Sequence, residues 1–191
     1  MSWVMGFFHQ DWTLDADSAA DVVAGLLAGS VDEEAVAVRR DAQVLCSLPS
    51  STLEVLWDAG AEYIPAWSFL GGGAEWTRTV VALCDARLAA SADVHPLSGA
   101  DTEDGLTCLD AVVAEIEDAR FLEGEVRTAL TDCARRCTPD LAFRMLLSAI
   151  RTAPDVSLSA ERYARLEVIG SALQYGEFLV DCVSHLVEQQ N

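Results

Sequence analysis

Apolar residues recur along this chain at helical spacing, broken at intervals by capping residues, glycine and proline. The first stretch opens after Asp17 or Ser18, either of which can cap it. It places Ala19, Val22, Val23, Leu26 and Leu27 on one face before Gly29 ends it. Ser30 and Glu33 have capping-box spacing ahead of the stripe Val31, Ala35, Val38, Ala42, Leu45 and Cys46, which Pro49 closes. Ser51 and Glu54 repeat that spacing before Leu53, Leu56 and Trp57, up to Gly60. Residues 61–73 break the period. They are aromatic (Tyr63, Trp67, Phe69) and end in Gly71-Gly72-Gly73, whose chain entropy disfavours helix and strand, so a loop is expected. Helical period resumes from Ala74 to about Ala90 with Trp76, Val80, Leu83, Cys84 and Leu88 on one face.

Residues 92–104 are polar, contain Pro96 and Gly99, and read as a linker. Four more stripes follow. The first has Leu106, Leu109, Val113 and Ile116 inward; the second runs Leu122, Val126, Ala129, Leu130, Cys133, Cys137. Thr138-Pro139 is an N-cap with proline at the first helical position, ahead of Ala142, Met145, Leu146, Ala149 and Ile150. The last stripe starts at Ser159 and extends to Glu188. Tyr163, Leu166, Ile169, Leu173, Val180, Val183 and Val187 lie on one side, with Val168, Ala172, Tyr175, Leu179 and Leu186 beside them. That breadth predicts a helix central to a bundle, with Gly170 and Gly176 as kink positions. Strand alternation and internal repeats are not evident. The expected fold is all-α: about eight helices, arranged as one continuous bundle or as two four-helix subdomains, residues 1–91 and 105–191.

Composition adds that the chain can build a core. Of 191 residues, 51% are hydrophobic, and five Trp and six Phe supply large apolar area. No apolar run reaches membrane-span length, and Met1-Ser2-Trp3-Val4-Met5 lacks the basic lead of a secretory signal, so the cytoplasm is the expected compartment. Six cysteines in that setting are expected to be free thiols. Charge changes the picture more. Thirty-one acids face twelve bases, a net −19, and every base is arginine. Such a field repels nucleic acid and anionic membranes, and it attracts a basic protein; solubility alone would also account for it.

The chemistry-bearing residues yield no active site. His9 and Asp11 lack a nucleophile or metal partner nearby, and read better as groups that satisfy the backbone at a turn beside the packed aromatics Phe8 and Trp12. Cys133-x3-Cys137 with Cys182-x2-His185 has spacings that could meet in a Cys3His zinc site, but the first pair continues an apolar stripe and reads as core. The glycine run lacks the lysine of a phosphate loop. Glu123–Arg127, Asp132–Arg136 and Glu161–Arg165 are spaced as helix ion pairs. Neither cofactor nor metal is expected. Two features suit a protein partner: the acids Asp32, Glu33 and Glu34 at a helix start, and the loop residues Glu62, Tyr63, Trp67 and Phe69.

One segment carries a family resemblance. Phe7-Phe8-His9-Gln10-Asp11-Trp12 resembles the opening motif of small bacterial immunity proteins from contact-dependent growth inhibition and related polymorphic toxin systems. The likeness continues through Asp21-Val22-Val23, Leu26-Leu27 and Leu48-Pro49. It ends near Glu75-Trp76 and Asp85-Ala86-Arg87-Leu88, so it covers about residues 5 to 90. It implies a non-catalytic protein that binds and neutralises a cognate toxin domain in the cytosol. A basic nuclease is a toxin class that the acidity would suit. The alternative from the residues alone is an acidic helical adaptor or regulatory interaction module.

Overall fold

A computed structural model describes residues 1–92, 94–175 and 178–188. The described chain is all-α. Its eight helices of ten residues or more are α3 (Ala19–Gly29), α4 (Asp32–Leu45), α5 (Ser50–Gly60), α7 (Gly73–Ala89), α8 (Leu109–Asp118), α9 (Gly124–Arg136), α10 (Pro139–Thr152) and α11 (Ala160–Ala172). Four one-turn helices, α1 (Ser2–Met5), α2 (Trp12–Asp15), α6 (Trp67–Leu70) and α12 (Phe178–Asp181), fill corners. The extended pairing among the described residues is one parallel bridge, Leu158 with Val187. No described helix is long and apolar enough to cross a membrane.

Helix α10 is the axis of the bundle. Its buried residues run almost without break from Pro139 to Ile150, and it packs on α5 and α1 from the first half and on α8 and α9 from the second. Thr138 caps it as expected, its Oγ1 accepting from Leu141 N at 3.1 Å, with Pro139 in the first turn. The central position expected for the last helix therefore belongs to α10. Helix α11 stops at Ala172 because Gln174 turns the chain in the left-handed region at φ 66°. Its second apolar flank is outward, with Val168 69% exposed. Gly176 lies outside the described residues. Leu106, expected inward, is 68% exposed; Ile116 is buried as expected, and Val112 is buried with it.

One hydrophobic core runs through both halves of the chain. Its ionic centre is Arg144 on α10, whose guanidinium reaches Asp41 on α4 through two bonds of 2.6 and 3.0 Å and Asp140 at 2.7 Å. Both carboxylates are almost wholly buried, and the Met1 ammonium adds a 2.6 Å ion pair to Asp41. Burial by itself would raise the Asp41 carboxyl. The ammonium and Arg144 outweigh it and hold the group far below the usual carboxylate range.

A second knot is aromatic. Phe8 is fully buried and meets Trp57 and Trp76 edge-on, both at 6.0 Å between ring centres, while Trp57 and Trp76 stand 5.7 Å apart. Trp12, expected to be buried with Phe8, is half-buried, its ring edge-on to Phe8 at 5.8 Å.

The glycine run proves to be a helix corner. Gly71 ends α6 in the left-handed region, Gly72 has φ 87°, and Gly73 already belongs to α7. A Cβ on Gly73 would stand 2.6 Å from Ser50 O, so only glycine allows α7 to cross α5 this closely. The box expected from Ser51 and Glu54 does not cap α5, whose N-cap is Pro49 with no side-chain cap; Glu54 caps α7 instead, together with Ser50. Glu54 Oε1 accepts from Gly73 N at 2.9 Å and Ser50 Oγ from Ala74 N at 3.1 Å. At α4 the box is shifted by one residue: Glu34, not Glu33, accepts from the backbone N of Val31 at 3.2 Å.

Three outcomes follow from this packing. Phe8→Ala should lower unfolding free energy by about 3–5 kcal/mol through lost transfer and a residual cavity, read as a shifted urea midpoint. Arg144→Ala should cost about 3–5 kcal/mol, because it strands buried carboxylates. A depressed carboxyl contributes stability that is complete above the unfolded value of about 3.9 and is lost as pH falls from there toward the folded value. Wild-type stability should therefore decline below about pH 4, and Asp41→Asn should flatten that decline.

Candidate functional site

A recess of about 420 Å³ lies between the C-terminal end of α5, the turn Ala119–Glu123, the start of α9 and the end of α10. It forms where the two halves of the chain meet, because α5 packs against both α9 and α10. Its floor is apolar, from Val55, Ala59, Val126 and Ala149, and its lining carries four carboxylates, Asp58, Glu62, Glu123 and Glu125. Two neighbouring bases are engaged. Arg127 Nε donates to Leu122 O at 3.3 Å rather than pairing with Glu123, and Arg162 lies 5.0 Å over the Phe121 ring beside Glu115. Arg151 faces an adjoining recess that Glu62 also lines.

The aromatic loop adjoins this groove through Glu62 and Asp58. Trp67 Nε1 donates to Asp58 Oδ2 at 3.1 Å. Burial raises the Asp58 carboxyl above its usual range; the Trp67 bond opposes the rise and the neighbouring Glu54 charge adds to it. Tyr63 is half exposed and Phe69 is 85% exposed, whereas Trp67 is half-buried against the core. The loop is anchored at its start: Tyr63 N donates to Phe8 O at 2.7 Å, and Tyr63 O accepts from Trp12 Nε1 at 2.8 Å.

The second expected contact surface is elsewhere and already partly committed. Asp32 pairs with Arg87 at 2.9 Å and accepts from Ser91 Oγ; that bond first, and Arg87 after it, lower its carboxyl against the opposing effect of burial. Glu34 caps Val31, and Glu33 is exposed. None of these three lines the groove.

Within the hexapeptide, Phe8 is core and His9 Nδ1 accepts from Asp11 N at 3.2 Å, the turn role expected of it; Gln10 and Asp11 are exposed, and Phe7 stacks edge-on against Trp3. Cys133 and Cys137 point into helix contacts, toward Met145 Sδ and Val44 O. Among the described residues no three His, Cys, Asp or Glu side chains converge to hold a metal, so Cys182 and His185 do not join them.

Sequence reasoning missed Asp58, Glu123 and Glu125. Glu123 read as a helix partner for Arg127, and Asp58 and Glu125 stood in no motif. Only the meeting of α5 with α9, seventy residues apart, makes them one rim. Comparison with family models, curated proteins and solved structures finds no match to this chain.

Trp67→Phe should remove the hydrogen bond that opposes the burial of Asp58. The Asp58 carboxyl should then titrate at higher pH than in the wild type, followed by carboxyl-carbon NMR.

Proposed function

We propose that this protein is a non-catalytic immunity protein that binds a cognate bacterial toxin domain in the cytosol and neutralises it. The observation that carries the binding reading is the groove, with its apolar lining and four carboxylates, bounded at Glu62 and Asp58 by the segment that carries the exposed rings of Tyr63 and Phe69. Aromatic anchors beside a desolvated floor are the residue types that dominate binding energy at interfaces. Carboxylates around them favour a basic partner and raise its capture rate. The net charge of −19 extends that attraction over the whole molecule. That the partner is a toxin rests on the N-terminal hexapeptide and its resemblance; that it is a basic nuclease rests on charge complementarity.

The test is genetic and then kinetic. Deleting the gene should kill cells only when they carry the toxin encoded beside it, and re-expression should restore growth. Survival of the deleted strain with that toxin active would reject the immunity role and leave an acidic adaptor. With the purified toxin domain, association should slow as salt rises from low ionic strength, since screening shortens electrostatic reach to about 10 Å at 0.1 M. Glu62→Arg with Glu123→Arg should lower the on-rate by about tenfold at low salt, with a smaller change in off-rate. Phe69→Ala should leave stability within about 0.5 kcal/mol and weaken the complex. An on-rate indifferent to salt and to both charge reversals would remove the groove from the docking surface.

A further inference from the structure

A second recess, of about 230 Å³, opens between the N-terminal hexapeptide and α3. Phe7, His9, Trp12, Asp15, Asp21 and Gly25 are on its wall. We propose that this recess is a binding site for a guanidinium group, the side chain of an arginine, held by the rings of Phe7 and Trp12 and by the carboxylates of Asp15 and Asp21. It stands apart from the docking reading, because its ligand is a single cationic group rather than a protein surface.

The chemistry of the wall selects that ligand. An aromatic face attracts a cation through its quadrupole, and attracts a planar guanidinium by stacking as well. Two carboxylates supply counter-charge and matching acceptors for a forked donor. The wall is also held in place before any ligand arrives. Trp12 is pinned by its Nε1 bond to Tyr63 O at 2.8 Å and by its ring contact with Phe8 at 5.8 Å. Phe7 is braced by Trp3 at 5.5 Å, and Ser18 Oγ donates to Asp21 Oδ2 at 2.6 Å, which orients that carboxylate. His9, the basic group on the wall, is turned by its Nδ1 contact with Asp11 N. Walls fixed in this way lose little freedom on binding.

Gly25 supplies an independent observation. It sits inside α3, where glycine lowers stability relative to alanine. A Cβ there would meet nothing within 4 Å, so packing does not demand a glycine. It lines the recess, so a long side chain there would enter it.

The test uses the full-length chain with 15N-labelled indoles at pH 8, where imidazoles are neutral. Nα-acetyl-arginine methylamide is titrated, with its citrulline counterpart as the neutral isostere. Arginine should move the Trp12 indole N–H resonance saturably, in the millimolar range expected of a small exposed site, and citrulline should not. Asp15→Asn with Asp21→Asn should weaken arginine about fivefold. Gly25→Leu should abolish the response while leaving the thermal midpoint equal or higher, so that lost binding is separable from lost folding. An equal response to citrulline overturns the proposal. So does arginine binding that survives both Gly25→Leu and the paired carboxamide substitutions.

Discussion

The bundle depends on one buried cation. Arg144 sits on the central helix and holds two carboxylates that are themselves out of water, one on its own helix and one on α4 from the first half of the chain. Taken singly, each of these charges would be costly to bury, because desolvation of an ion exceeds what a single imperfect contact returns. Taken together they pair through short, directed hydrogen bonds that leave only Asp140 Oδ1 of the two carboxylates without a partner, and Asp41 receives the Met1 ammonium as well. This arrangement specifies which face of α10 meets α4 in a way that interchangeable apolar side chains would not. It also explains why the polar stretch after α7 does not separate two bundles: the strongest polar contact in the core spans it.

The aromatic knot does the complementary work on the first half. Phe8, Trp57 and Trp76 come from three segments and meet edge-on, which fixes the N-terminal segment, α5 and α7 about one point. Gly73 is what lets α7 come near enough, and Ser50 and Glu54 then serve a helix they do not begin. The hexapeptide that stands out in the sequence therefore divides its labour. Phe8 is core, while Phe7, His9 and Trp12 form the wall of a recess.

Much of the fold was legible because local signals and burial agreed. Thr138-Pro139, Ser18 and Ser159 cap the helices expected of them, and the eight long helices lie near their predicted stripes. The errors fall where tertiary contact overrides local pattern. The last helix looked central because its apolar residues encircle it, yet Gln174 breaks it and Val168 faces outward. Helix α10 looked ordinary because its pattern contains Asp140 and Arg144, residues that normally mark a solvated face. Arg144 pairs with Asp41, 103 residues away, and no spacing rule reaches that far. The site behaved likewise. Glu62, Tyr63 and Phe69 were visible as an acidic aromatic cluster, but Asp58, Glu123 and Glu125 became a rim only through the α5–α9 contact.

The fold also sharpens the meaning of the charge. Several of the twelve arginines are drawn into the structure: Arg144 into the core, Arg162 and Arg165 onto Glu115, Arg87 onto Asp32 and the carbonyls of Leu27 and Ser30. A base used in this way neutralises an acid that is itself mostly inside, and contributes little to the field that an approaching molecule meets. The acids left outside are thus less compensated locally than the overall count suggests. Both recesses lie in that field, and both carry carboxylates with aromatic neighbours. They are joined through one residue, since Tyr63 accepts the indole N–H of Trp12, which lines the smaller recess, and follows Glu62, which lines the groove. The Trp12–Tyr63 bond thus ties the wall of the smaller recess to the start of the segment beside the groove.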